Sequence, residues 1–176
     1  MNEGTITKAL EAVGRYLSAS APIELIIIGG AAGLLTGELE GTYTTGDVDA
    51  LQVLPPDKWD ELQDAAAKTG IEMGLPANWL NGEAGLYREA LPADWKDRRV
   101  SVGRFGMLQV WAIGRLDLIA MKFYAHRQQD REHLDRMNVT KDELEFVLRR
   151  LNGMEASGIG DKGKIEMARD MVRNWL

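Results

Sequence analysis

The sequence predicts an α+β fold: a small mixed sheet with flanking helices, followed by a C-terminal helical tail. Three observations predict it. Residues 23–28 form a short, branched apolar run with no helical period, the pattern of a central strand buried on both faces. A second apolar run opens at Asp47-Val48-Asp49 and is stopped by Pro55-Pro56. From Gly114 onward the apolar spacing is helical throughout.

The elements follow in order. Residues 5–18 read as a helix, with Ile6, Ala9, Leu10, Val13 and Leu17 on one face and Thr5 as N-cap. Ala21-Pro22 breaks it before the first strand. Gly29-Gly30 then gives a turn, residues 31–39 a short helix, and residues 41–46 a loop. The second strand spans 47–54. Residues 57–68 read as a helix with Asp57 as N-cap and Trp59, Leu62 and Ala66 on one side. Residues 70–95, with Pro, Asn and Gly around Trp79 and Leu80, read as an irregular loop of a length that is often functional. Residues 99–105 and 107–113 make a hairpin around Gly106. Residues 115–137 read as one long helix. Thr140 and Glu143 form a capping box ahead of Leu144, Val147, Leu148 and Leu151; Asn152-Gly153 closes that helix. Asp161 opens a last one. The division expected is a core at 1–114 and a helical region at 115–176, packed as one unit.

The bulk numbers narrow the function. A chain of 176 residues is long enough for a proper hydrophobic core. With no cysteine there is no disulfide framework, thiolate metal site or Cys nucleophile. No apolar run approaches the roughly 20 residues of a transmembrane helix, and the opening residues carry no signal-peptide pattern, so a cytoplasmic protein with no membrane partner is expected. A net charge of -6 disfavours broad binding to nucleic acid, although basic patches remain at Lys96-Asp97-Arg98-Arg99 and Arg149-Arg150.

The chemistry concentrates in residues 26–51. If Asp47 and Asp49 lie on a strand, their side chains share a face, with Cα atoms roughly 6.5 Å apart. Like charges at that spacing repel, which favours protonation of one, and a bound divalent cation removes the conflict. Gly29 and Gly30 supply a turn where a phosphate meets bare backbone. A second candidate is Lys122, the sole charged residue between Leu118 and Ala125. On a continuous helix it lies near His126 and Gln129. Burying its ammonium unpaired is costly, so it calls for a carboxylate (Asp47, Asp49 or Asp130) or a phosphate. The plainer reading has Lys122 snorkelling from its apolar stripe. His126 and His133, seven apart on the same helix, read as surface or pocket-rim residues, because no carboxylate cluster completes a zinc set.

Strand, Gly-Gly, short helix and Asp-x-Asp in this order resemble the core of the DNA polymerase beta-like nucleotidyltransferase superfamily. Tyr43-Thr44-Thr45-Gly46-Asp47-Val48-Asp49 resembles the Thr-x-Asp-x-Asp segment of bacterial AbiE-type and related nucleotidyltransferase-like proteins. The segment 118–130, an apolar helix with one lysine followed by Arg127-Gln128-Gln129-Asp130, resembles their second motif, and Trp79-Leu80-Asn81 is similar to a string in the same group. The resemblance covers roughly residues 5–137 and implies a sheet of the nucleotidyltransferase type. It implies a site that binds a nucleoside triphosphate with Mg²⁺ (or Mn²⁺) and transfers a nucleotidyl group to a hydroxyl of a protein, RNA or small molecule. Asp47 and Asp49 would hold the metal. Gly29 and Gly30 would meet the β- and γ-phosphates, with Thr45 touching the same groups. Lys122 would offset phosphate charge, and Asp130 would orient Lys122 or stand in for a base. Two positions depart from the pattern. Tyr43 stands where many relatives carry Arg, and the strand at 99–104 holds no third acid. Glu83, Glu89 and Asp97 are the loop substitutes. In the relatives an Asp often occupies the place of His133. The alternative reading is therefore a catalytically lapsed binding or regulatory module, for example one half of a toxin–antitoxin pair with a protein partner.

Overall fold

The structure, a computed structural model, describes residues 1–18, 21–39 and 43–176; the side chains of Leu86 and Glu89 lie outside that description, as do residues 41 and 42 of the expected 41–46 loop. The fold is α+β: among the described residues, five strands in one mixed sheet, and helices. The chain divides into two compact units, residues 1–86 with 99–113 and residues 87–98 with 114–176.

The first unit holds the sheet, in the order β3-β2-β1-β5-β4. β1 (Ile23–Ile28) is central, and every residue of it except Glu24 is buried, as its near-continuous apolarity requires. β2 (Val48–Leu54) pairs with it antiparallel, with Ile28 opposite Asp49. β5 (Leu108–Ala112) runs parallel to β1, and β4 (Val100–Phe105) closes the hairpin antiparallel to β5. β3, only Leu80 and Asn81, adds to β2 in parallel, with Asn81 opposite Asp49.

Helix α1 (Glu3–Tyr16) is capped by Asn2, whose side chain accepts from the Thr5 N–H; the expected cap, Thr5, sits in the first turn instead. The helix packs against α3 and the β4–β5 hairpin. Gly14 makes that approach possible: a Cβ there would lie 2.0 Å from the Phe105 carbonyl oxygen. Helix α2 (Gly29–Leu35) starts two residues earlier than expected, so Gly29 and Gly30 are its first turn rather than a turn before it. A 3₁₀ turn (Pro56–Lys58) leads into α3 (Trp59–Met73), which runs well past residue 68 and ends at Gly74 in the left-handed region (φ 65°). The 70–95 stretch is accordingly more ordered than its composition suggests. It contains the end of α3, β3 and a 3₁₀ segment over Glu83–Ala90, with another at Trp95–Arg98.

The second unit is helical. The expected helix at 115–137 is two: α4 (Arg115–Ala125) and α5 (Gln128–Arg136), broken where His126 takes a left-handed conformation (φ 52°). Asp130 caps α5, accepting from the Arg127 N–H. The Thr140–Glu143 capping box opens α6 (Lys141–Ala156) as expected, but the helix runs through Asn152-Gly153 to Ala156. Asp161 caps α7 (Lys162–Trp175). α4 packs against α5, α6 and α7. Asp117, fully buried at the start of α4, is held by Arg98 through bonds of 2.8 and 2.9 Å. None of the described helices is long and apolar enough to cross a membrane.

Candidate functional site

The candidate site of the first unit forms where β1 ends and β2 begins. Antiparallel pairing places those two points side by side, with Ile28 opposite Asp49. The chain leaves β1 into Gly29, whose φ of 76° strains any residue with a Cβ. The position is closed to a side chain for a second reason: a Cβ on Gly29 would lie 2.6 Å from Asp49 Oδ2. The Asp49 carboxylate therefore rests directly over the Gly29 backbone. Gly30 is covered in the same way. A Cβ there would meet the Tyr43 hydroxyl at 2.7 Å and Thr45 Oγ1 at 3.0 Å.

Thr45 is buried, and its hydroxyl donates to the Asp47 carbonyl at 3.2 Å, which fixes the approach to the strand. Its backbone N–H donates to the Met1 carbonyl. Asp47 lies one residue ahead of β2 and is half-buried. Asp47 Oδ2 accepts from the Asn81 side-chain amide at 3.3 Å. Gly29, Gly30, Thr45, Asp47 and Asp49 are thus gathered in one unit, together with Tyr43 and Asn81. Of these, Asn81 stands out in the sequence only through its Trp-Leu-Asn string, which assigns it no role. The signal that carries its role is the β2–β3 register, which composition does not reveal.

The donor set suits a hard divalent cation. Mg²⁺ is held by one or two carboxylates and completes its shell with water and substrate phosphate oxygens, and Asp47 and Asp49 supply that number. No group of three or more His, Asp or Glu side chains placed to hold a metal ion forms among the described residues. The neighbouring strands show why. At the same end of the sheet β5 offers Ala112, followed by Ile113, and β4 offers Val100 and Ser101. Glu83 is exposed and contributes its backbone N–H to Asn81 Oδ1. Asp97 is exposed in the other unit.

Lys122 and Asp130 belong to the second unit. Lys122 is 3% exposed and does not snorkel. Its Nζ lies 2.5 Å from His133 Nδ1 and 3.5 Å from Asp130 Oδ1. The break after α4 turns α5 back, so His133 and not His126 faces the ammonium. His133, expected at the surface, is 3% exposed. Burial chiefly, and then the Lys122 charge, push its pKa down to about 4, against the opposing pull of Asp130. The neutral ring thus accepts from Lys122 through Nδ1. Asp130 Oδ2 also takes the Arg127 guanidinium at 3.0 Å. The carboxylate expected beside Lys122 is therefore Asp130, within its own unit.

No curated protein and no solved structure matches the chain. A family match covers residues 5–175, nearly the whole sequence. The chain belongs to that family, described as nucleotidyltransferase of unknown function (DUF6036).

Proposed function

We propose that the first unit binds a nucleoside triphosphate with Mg²⁺ (or Mn²⁺) and transfers a nucleotidyl group to an acceptor hydroxyl on a protein, RNA or small molecule, in the cytoplasm. The observation that carries this reading is the Asp49 carboxylate seated over the bare backbone of Gly29, with Asp47 two residues away. Asp47 and Asp49 would hold the metal. Gly29 and Gly30 would give backbone N–H groups to the β- and γ-phosphates, and the Thr45 hydroxyl beside Gly30 would reach the same oxygens. When bound, the metal supplies charge neutralisation at the phosphates. The acceptor oxygen bonds to the α-phosphorus, the bond to the β-phosphate oxygen breaks, and pyrophosphate leaves. The acceptor proton passes to solvent. Lys122 has the partners a buried ammonium needs in Asp130 and His133, so its burial does not by itself call for a phosphate.

A thermal-shift titration with the four ribonucleoside triphosphates and Mg²⁺ tests the binding step. A rise in melting temperature is expected for the wild-type protein, and its loss in Asp47→Ala and Asp49→Ala. No rise in wild type, or an equal rise in both variants, overturns the reading.

A second reading is favoured by one observation, the absence of a third carboxylate from the described strand ends at 100–101 and 112–113. In it the chain keeps the nucleotide site and has lost transfer, serving as a binding or regulatory module, for example in a toxin–antitoxin pair like those of the AbiE type. α-labelled triphosphates separate the two. Label that reaches a partner with wild type but not with Asp49→Ala excludes the lapsed module.

A further inference from the structure

We infer that Asn81 is a positioning residue of the metal site, holding the Asp47 carboxylate in the orientation that leaves its other oxygen for a cation. The inference rests on the metal reading above and adds a residue to it. Asn81 Oδ1 accepts from the Glu83 N–H at 3.0 Å. A backbone N–H only donates, so this bond decides which end of the amide is which. The Nδ2 donor must then face the other way, where it meets Asp47 Oδ2 at 3.3 Å. One carboxylate oxygen of Asp47 is occupied by a neutral donor, and the rotamer is fixed without any charge that would repel a cation.

The segment carrying Asn81 is itself held firmly. The Val48 N–H donates to the Trp79 carbonyl, and β3 pairs in parallel with β2, with Asn81 opposite Asp49. The Trp79 indole is 1% exposed, and its N–H donates to the Ala66 carbonyl on α3 at 2.9 Å. Gly82 packs against the Trp59 ring, where a Cβ would lie 3.0 Å from two of its carbons. A two-residue strand adds little to a sheet. Here it brings one amide to one carboxylate, on the strand face that Asp49 shares. Partners that orient metal ligands in this manner commonly change metal affinity ten- to a hundredfold when removed.

Two variants separate this role from that of shaping the turn. Asn81→Ala removes both bonds. Asn81→Asp keeps the acceptor for the Glu83 N–H but replaces the donor with a carboxylate beside Asp47. Mn²⁺ binding is followed by electron paramagnetic resonance, with Mn²⁺ alone and with α,β-methylene analogues of the four ribonucleoside triphosphates. Melting temperature is measured with and without Mn²⁺. The expected result is a roughly tenfold weaker Mn²⁺ affinity in Asn81→Ala. In Asn81→Asp the melting temperature should be lower without metal and should rise more than that of wild type when Mn²⁺ is added, because the cation relieves the new repulsion. Wild-type Mn²⁺ affinity in both variants, with a wild-type melting response in Asn81→Asp, overturns the inference while leaving the metal reading intact. Failure of the wild-type protein to bind Mn²⁺ under either condition overturns the metal reading and the inference with it.

Discussion

At the scale of single residues, the half-buried Gly29 and the buried His133 each tolerate only one state. Gly29 must have no side chain, because its φ is 76° and Asp49 Oδ2 fills the space a Cβ would take. Gly29→Ala should cost about 1–2 kcal/mol from the left-handed backbone alone. It should also displace Asp49, so the Mg²⁺-triphosphate melting response is expected to shrink by more than stability does. A variant that melts lower yet responds to nucleotide as wild type does would separate backbone strain from the site. His133 must stay neutral. Its pKa is about 4 in the folded protein, against about 6.5 for an ordinary histidine. As pH falls from about 6.5 the unfolded chain binds a proton that the folded one refuses, so the unfolded state gains, and the stability His133 permits at neutral pH is lost progressively down to about 4. His133→Gln should flatten that part of the stability–pH curve. Lys122→Met should raise the His133 midpoint in an NMR titration, because one of the charges holding it down is gone; an unmoved midpoint would leave the shift to burial and to the Arg136 and Arg127 charges.

At the scale of elements, what the sequence reveals depends on whether apolar spacing or tertiary geometry decides the outcome. β1, the hairpin and the Thr140 capping box are legible because their signals are local: a short, mostly branched apolar run, a central glycine, and a reciprocal Thr–Glu pair. The break between α4 and α5 is not. The buried residues of α5 are Asp130, His133 and Leu134, so its inward face is mostly polar and carries no hydrophobic period to interrupt. The cap of α1, expected at Thr5 and found at Asn2, is missed for another reason. Asn2 and Thr5 are both good capping residues, and only the structure shows that Asn2 accepts from both the N–H and the hydroxyl of Thr5. The contact of α1 with the hairpin is equally hidden, since a helical glycine looks like a weakness in isolation. Gly14→Ala, normally favourable in a helix by up to about 1 kcal/mol, should here destabilise by about 1–3 kcal/mol or more, because the new methyl meets the Phe105 backbone rather than a side chain that can move. Urea denaturation of that variant checks the sign, and a stabilised protein would mean that the helix can lift off the hairpin at little cost.

For the whole molecule, sheet order matters to the site more than any motif does. Residues 28, 49 and 81 are far apart in the chain and become neighbours through one antiparallel and one parallel pairing. The glycine pair and the two aspartates stand out by type and spacing, whereas the amide that bonds Asp47 is revealed only by the register. The same distinction governs charge. The sequence shows two basic patches within a chain of net charge -6, and the structure shows how three of their four arginines are used. Arg98 is bound by Asp94 and Asp117, Arg99 pairs with Glu24 and stacks on Trp111, and Arg150 donates twice to the Ala90 carbonyl. Guanidinium groups committed in this way are poor ligands for a phosphate backbone, since each would have to leave a partner before releasing a counterion. The protein is therefore expected to show no appreciable nonspecific affinity for duplex nucleic acid at about 150 mM salt, and a shallow salt dependence below that. Fluorescence anisotropy with a labelled duplex of about 30 base pairs, long enough to cover several contacts, measures both. A steep fall of affinity with salt, equivalent to about five or more phosphates neutralised, would show that these arginines release their protein partners for nucleic acid, and would favour RNA over a small molecule as the acceptor for the proposed transfer.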